Sequence, residues 1–218
     1  MSDITIGAVE RAIKAAAATI LKNEDHFSNL DALAGDGDFG ASLAAGFRVI
    51  QADLPSLDKS SINSFLLKIA MIISKHVGGS SGPLWGTAFM RAAALCKDKK
   101  AISLADLEKI TTAAIEGIQQ RGGAQPGDKT LIDVLIPIRD VIGKHARGDR
   151  DNNAALRDAT AAAEEAAERA KSWVAKRGRQ QFTGDRSIGT PDPGMVAVAT
   201  ILADLCTEFG VSRPKVGA

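Results

Sequence analysis

Three aspartates, Asp31, Asp36 and Asp38, lie close together in the sequence, with Gly35, Gly37 and Gly40 around the last two. Carboxylate oxygens are hard ligands, and three of them held together repel one another unless a divalent cation lies among them. The chemistry on offer is therefore Mg²⁺ binding, with the glycines letting the chain turn tightly enough to aim the carboxylates at one point. The same composition also makes ordinary turns, with Asp36 and Asp38 as turn formers and Asp31 as a solvated cap. Spacing alone leaves both readings open. Residues 35–40 also spell G-x-G-x-x-G, but the dinucleotide fingerprint needs a strand before it, and Ser28-Asn29-Leu30-Asp31-Ala32-Leu33 has no strand character. Asp38-Phe39-Gly40 matches the metal-binding triad of protein kinases, yet the Val-Ala-Ile-Lys and catalytic-loop motifs that accompany it there are missing from the sequence.

Three further glycine-rich segments carry polar groups. Gly78-Gly79-Ser80-Ser81-Gly82-Pro83 offers backbone N–H groups and the hydroxyls of Ser80 and Ser81, which suit phosphate oxygens at a helix N-terminus. A helix end followed by a proline-initiated helix accounts for Gly78 and Pro83 equally well. Arg121 to Thr130 and Gly184 to Gly194 are the other two segments, and Arg179 and Arg186, beside the last, are candidate cations for a polyphosphate or simply solvated charges. His26, His76 and His145 share no motif and are expected to pack rather than react. Cys96 and Cys206 fall on apolar stripes and read as buried, inert thiols. Glu164, Glu165 and Glu168 with Arg169 and Lys171 read as a solvated helix face.

The elements that must position these loops are helices, because apolar residues recur at spacings of three and four. Ile6, Val9, Ile13, Ala16 and Ile20 form one stripe, and Ile62, Leu66, Ile69 and Ile73 another. Ser103 and Asp106 form a capping box before Leu104, Leu107, Ile110, Ala114 and Ile118. Leu131 to Ile142 predicts a helix bent at Pro137. An alanine-rich helix follows from about 154 to 176, with Trp173 and Val174 in its core face. Asp192 and Pro193 read as N-cap and first residue of the last helix. In an antiparallel bundle, loops separated by an even number of helices emerge at one end, so several of the glycine segments are expected to converge on one mouth.

The 218 residues predict one domain, with 210–218 as a flexible tail. Lys and Arg number 27 against 26 Asp and Glu, so no charge excess points to nucleic acid or to anionic lipid. No long apolar run or signal-peptide pattern is seen, which predicts a cytoplasmic protein without membrane contact.

Taken together, Asp31-x-x-x-x-Asp36-Gly-Asp38-x-Gly40, Gly78-Gly-Ser-Ser-Gly-Pro-Leu84, Pro126-Gly-Asp128-Lys129-Thr130, and Arg186-Ser-Ile-Gly189 with Asp192-Pro193-Gly194 resemble the nucleotide-binding L subunit of dihydroxyacetone kinases. The match runs through essentially the whole chain, with the motifs in order. The resemblance implies an all-α barrel of about eight antiparallel amphipathic helices, with ADP or ATP and two Mg²⁺ at one end. It implies Asp31, Asp36 and Asp38 as metal ligands, and Phe39, Gly40, Ala41, Ser42, Ser80, Ser81, Gly122, Gly123, Leu131, Arg179, Asp192, Pro193 and Gly194 as nucleotide contacts. Arg179 is the candidate for transition-state charge. Phe39 stands where this family usually has histidine, which removes a ring hydrogen bond and leaves room for another short ketose, such as a tetrulose.

The implied activity is phosphoryl transfer to dihydroxyacetone held on a separate K subunit, since no ketone-binding domain is found in this sequence. The stand-alone length favours recharging by a phosphohistidine protein of a phosphotransferase system over exchange of free ATP. Members of the family also contact transcription regulators, so a nucleotide-dependent regulatory module is the other reading, and a dimer of this chain is also open.

Overall fold

Helix starts in this chain are set by the side chains that precede them. Thr5, Ser61, Ser103, Asp151 and Asp192 each accept a hydrogen bond from a backbone N–H of the following turn, satisfying donors that the helix itself leaves free. The computed structural model describes residues 3–149 and 151–213. Its helices are α1 (Ile6–Lys22), α2 (Glu24–Ala32), α3 (Phe39–Asp53), α4 (Ile62–His76), α5 (Ser81–Leu95), α6 (Leu104–Gly122), α7 (Leu131–Arg147), α8 (Asn152–Ala170) and α9 (Pro193–Glu208). A 3-10 segment spans Arg179–Ser187. Strands β1 (Ile4–Thr5) and β2 (Ala101–Ile102) pair antiparallel and tie the start of α1 to the start of α6.

Each helix from α3 to α9 packs on the next, and α1 packs on both α3 and α9, so the ring closes as a barrel. The chain breaks at Asn23, making α1 and α2 one position of the barrel. Among the described residues, nine α-helices therefore fill the eight positions expected from the sequence.

Two kinds of packing hold the ring. In the first half, Phe27, Phe47, Phe65, Leu43, Ile62, Ile69 and Ile73 are fully buried together. In the second half, Ala155, Ala159, Ala163, Ala166 and Ala170 form a buried stripe of small residues along α8, and their lack of bulk lets α7 and α9 approach its backbone closely. The predicted stripe of α4 is buried throughout, while in that of α1 Ile13 and Ile20 are buried, Ile6 and Val9 are only partly buried, and Ala17 rather than Ala16 faces inward. The Ser103–Asp106 capping box is present. Helix α7 runs continuously through Pro137.

The alanine-rich helix is shorter than expected. It ends at Ala170, so Trp173 and Val174 lie beyond it in an irregular segment and are only partly buried. The Trp173 ring lies under the Arg169 guanidinium, 5.9 Å from its centroid. Cys96 and Cys206 are buried free thiols as predicted. Of the expected tail, residues 214–218 lie outside the described residues, while the Val211 N–H donates to the Cys206 carbonyl and Arg213 pairs with Asp204 at 2.6 Å. Among the described residues, no helix is long and apolar enough to cross a membrane.

Candidate functional site

Helices α3, α5, α7 and α9 all begin at one end of the barrel, and the four glycine-rich segments meet there around a cleft of about 540 Å³. Residues at the starts of all four helices line it: Phe39, Ser81, Leu131 and Pro193. Each start presents the positive end of a helix dipole, so the cleft favours an anion, although the first-turn N–H groups of Phe39, Ala41 and Met195 are already held by Asp31, Ser28 and Asp192.

The carboxylate cluster sits at its edge. Asp31, in the last turn of α2, is 6% exposed, and its Oδ2 accepts from the Gly37 N–H at 2.9 Å and the Phe39 N–H at 3.4 Å. Burial pushes its pKa up, against those two N–H groups and with the help of the charges on Asp36 and Asp38. Asp36 and Asp38 are exposed on the connecting loop, and one oxygen from each of the three residues lies within 4.8 Å of the others. A Cβ at Gly35 would overlap Asp31 Oδ1, so the loop folds back over Asp31 only because that residue is glycine. Hard oxygen donors converging in this way fit a divalent magnesium ion. Arg179 reaches across from the 3-10 segment and pairs with Asp36 at 3.0 Å.

Of the predicted nucleotide contacts, Phe39, Ser42, Ser80, Ser81, Gly122, Leu131, Arg179, Asp192, Pro193 and Gly194 line the cleft. Gly40, Ala41 and Gly123 stand behind it. A Cβ on Gly40 would overlap the Glu24 carbonyl oxygen and Ser28, so this glycine lets α3 lie against α2. The Ala41 N–H donates to Ser28 Oγ at 3.2 Å. Gly123 closes α6 in the left-handed region, φ 68°. Arg186 is the solvated charge of its two readings, and neither a phosphate cation nor a structural contact at the Ser187-Ile188-Gly189 turn: it does not line the cleft, is exposed, and makes no hydrogen bond or ion pair among the described residues.

Apart from Asp192, which the sequence marks as a cap, sequence reasoning gave no role to the groups that build the cleft's wall. Asp133, buried in the first turn of α7, accepts from Gly127 N at 2.6 Å and Thr130 N at 2.8 Å and so fixes the loop before its own helix. Thr130-x-x-Asp133 repeats the Ser103-x-x-Asp106 pattern, and that was the signal available. Lys129 is 1% exposed and has a left-handed backbone, φ 63°, a conformation that costs a residue with a Cβ about 1 kcal/mol. Its ammonium donates to the Ser187 carbonyl at 2.6 Å and the Trp173 carbonyl at 3.1 Å. Burial lowers its pKa, opposed by the charge of Asp192. Asp192 caps α9 through the Met195 N–H at 2.8 Å, and burial pushes its pKa up to about 6 despite that bond and Lys129. Arg177 bonds both Asp128, at 3.2 Å, and the Gly123 carbonyl, at 2.8 Å. Gln180 Nε2 donates to the Pro191 carbonyl at 3.3 Å, and its Oε1 is the one buried side-chain oxygen among the described residues without a partner. Leu84, Trp85, Ile118 and Ala124 give the side between α5 and α6 an apolar surface.

The family this chain matches is the DAK2 domain family. Its model matches residues 33–207, and the chain belongs to that family. Among its relatives, the ADP-binding subunit DhaL of the PEP-dependent dihydroxyacetone kinase of Escherichia coli K12 is 34% identical over 174 residues, 80% of this chain and 83% of that one. The corresponding subunit of the PTS-dependent enzyme of Lactococcus lactis is 33% identical over 186 residues, 85% of this chain and 88% of that one. L-Erythrulose 1-kinase of Mycolicibacterium smegmatis is 36% identical over 185 residues, which cover 84% of this chain but 32% of the relative. The native dihydroxyacetone kinase of C. freundii has the same fold, with a TM-score of 0.75 and 24% identity over 95% of this chain and 36% of that one. Its complex with AMP-PNP and Mg²⁺ superposes with a TM-score of 0.73 at 25% identity, over 95% of this chain and 35% of that one.

Proposed function

We propose that residues 1–218 form one nucleotide-carrying domain, the phosphoryl-donor subunit of a short-chain ketose kinase. It holds ADP or ATP with two Mg²⁺ and transfers the terminal phosphoryl group to dihydroxyacetone bound on a separate K subunit. A phosphohistidine protein then recharges the bound ADP. The observation that carries this reading is the meeting of three carboxylates with four helix N-termini at one cleft. Two of the relatives that match this chain along most of their own length are ADP-binding subunits of dihydroxyacetone kinases, one PEP-dependent and one PTS-dependent.

In this reading Asp31, Asp36 and Asp38 are the metal ligands. Magnesium bound there would supply positive charge to spread the negative charge of the transferring group. The chain's own residues do the rest. First-turn N–H groups of α5, with the Ser80 and Ser81 hydroxyls and the dipoles of α3 and α9, orient the phosphates. Leu84, Trp85, Ile118 and Leu131 cover the base and keep water from that wall. Arg179 exchanges Asp36 for the phosphoryl group and adds a guanidinium where charge develops. No histidine is among the described residues lining the cleft, so the ketose hydroxyl proton is left to a group on the partner.

The ketose itself has a second reading. The similarity to L-erythrulose 1-kinase favours a four-carbon ketose as the alternative acceptor. Two measurements test the two levels. Native mass spectrometry of the purified protein is expected to show retained ADP and Mg²⁺, and single-turnover transfer from ATP-loaded protein is expected to give dihydroxyacetone phosphate faster than erythrulose phosphate. Protein free of nucleotide that cannot be loaded with Mg²⁺ and ADP sinks the donor reading, and the reverse ketose preference replaces dihydroxyacetone by the tetrulose.

A further inference from the structure

Arg179 sits on a loop whose two arms are held together from below. The loop leaves α8 at Lys171 and returns at Gly189, whose N–H donates to the Lys171 carbonyl at 2.7 Å. One step further in, the Ala175 N–H donates to Ser187 Oγ at 2.9 Å. Between these bonds lies the Lys129 ammonium, which comes from the segment before α7 and bonds one carbonyl on each arm, Trp173 on the outgoing and Ser187 on the returning. The cation is buried and has two neutral oxygens as its hydrogen-bond partners, with the Asp192 charge nearby. Such a bridge is directional: two hydrogen bonds from one nitrogen fix both arms relative to the segment before α7, and the Asp192 charge at the start of α9 favours the cation there without bonding it. Beyond the neck the loop is polar and largely exposed, with Phe182 79% exposed and glycines in the left-handed region at Gly178 and Gly184. The outer loop has its own anchors, the Lys176 N–H and Arg177 on Asp128, Arg177 on the Gly123 carbonyl and Gln180 on the Pro191 carbonyl, and the neck sets where the two arms that carry them start.

We propose that Lys129 is a positioning residue for phosphoryl transfer, holding residues 173–187 by their neck so that the Arg179 guanidinium stands at the Asp31–Asp36–Asp38 cluster. The role rests on the donor-subunit reading above. Lys129 acts through Arg179 and does not itself touch the reacting atoms. A left-handed backbone at a residue with a Cβ is kept here because that conformation sends the side chain into the neck. Displacing a charged group by about 1 Å from the reacting centre costs on the order of 100-fold in rate, and a similar loss is expected when the bridge is cut.

The test uses Lys129→Met, which keeps the apolar stem and removes the charge and donors. Hydrogen exchange of the backbone amides in 174–188 is expected to quicken at least tenfold, with α4 and α5 unchanged. Single-turnover transfer is expected to fall about 100-fold while ADP affinity stays within a few fold. In an Arg179→Ala background the same substitution is expected to cost almost nothing more, because the group it positions is gone. Unchanged exchange in 174–188 overturns the proposal, as does a full additional loss in the Arg179→Ala background. A wild-type protein that transfers no phosphoryl group sinks the donor reading instead, and additive losses in an active protein sink only the role of Lys129. Should Lys129→Met fail to fold, the wild-type protein answers by NMR: the Lys129 ammonium protons are expected to exchange slowly with water, and rapid exchange overturns the bridge.

Discussion

Asp38→Asn separates the two things a carboxylate does in the acidic cluster. The Asp38 side chain makes no hydrogen bond or ion pair among the described residues, and one of its oxygens lies within 4.8 Å of oxygens of both Asp31 and Asp36. Each like-charge pair at that separation costs about 1 kcal/mol under water-like screening and about 3.5 kcal/mol at an effective dielectric near 20. Asp38 is exposed, so the lower figure applies. Removing two such pairs stabilises the metal-free protein by about 1–2 kcal/mol, and a chain of this size shifts by about 2–4 °C per kcal/mol. The variant is expected to melt about 2–8 °C above wild type in a chelating buffer. With Mg²⁺ and ADP near a hundredfold excess over their dissociation constants, wild type gains about 2.7 kcal/mol, or about 5–11 °C. The variant has lost a ligand and gains little at the same concentrations, so the order of the two melting temperatures narrows or reverses. Scanning calorimetry in both buffers decides. A variant less stable than wild type in chelator refutes the repulsion argument, and one that gains as much from Mg²⁺ and ADP refutes the metal assignment.

Gly40→Ala drives a methyl group into the Glu24 carbonyl and Ser28 and is expected to cost about 1–3 kcal/mol, read as a lower urea midpoint; an unchanged midpoint means α2 and α3 do not meet as described. Arg179→Ala is expected to lower single-turnover transfer by one to two orders of magnitude, about 1.4–3 kcal/mol, with ADP affinity within a few fold, as for a contact made mainly in the transition state. Arg186→Ala, which removes an exposed side chain without partners, is expected to leave transfer and stability unchanged, and equal losses in the two variants would remove the distinction between them. His145, buried at the end of α7, bonds Asp149 at 2.8 Å and Asp158 at 2.9 Å, and the Asp149 bond, helped by Asp158, raises its pKa above 6.5. The folded state thus holds this proton more tightly than the unfolded chain. The resulting stability is full below pH 6.5 and is lost as pH rises through the raised value. Subtracting the Tm–pH curve of His145→Gln from that of wild type is expected to show that loss, and parallel curves exclude it. Asp192 contributes in a different window, losing stability as pH rises from 3.8 to about 6.

What was legible in the sequence follows from how far each signal reaches. Helix stripes and caps are local, so the stripe of α4, the Ser103 box and the Asp192-Pro193 start are all where the residues place them. Convergence of the glycine segments is also legible, because it needs only the parity of antiparallel helices: α3, α5, α7 and α9 start at the same end whatever their packing partners. The alanine-rich segment misled about its own end. Its composition continues to favour helix past Ala170, but the Gly189–Lys171 bond and the Ser187 hydroxyl draw the chain out of the helix, and both partners lie more than ten residues away. Lys129 shows the limit most clearly. It stands in the Pro126-Gly-Asp128-Lys129-Thr130 motif with no role to be read from it, and the groups that hold it are the main-chain carbonyls of Trp173 and Ser187, which any residue at those positions would supply. A side chain bonded to backbone leaves no complementary residue type for the sequence to reveal. The charge count is equally silent, since one ammonium under the cleft and one guanidinium in solvent weigh the same. Burial separates Lys129 from Arg186, and it places the first, overlooked cation beneath the cleft while leaving the second, singled out by its motif, in solvent.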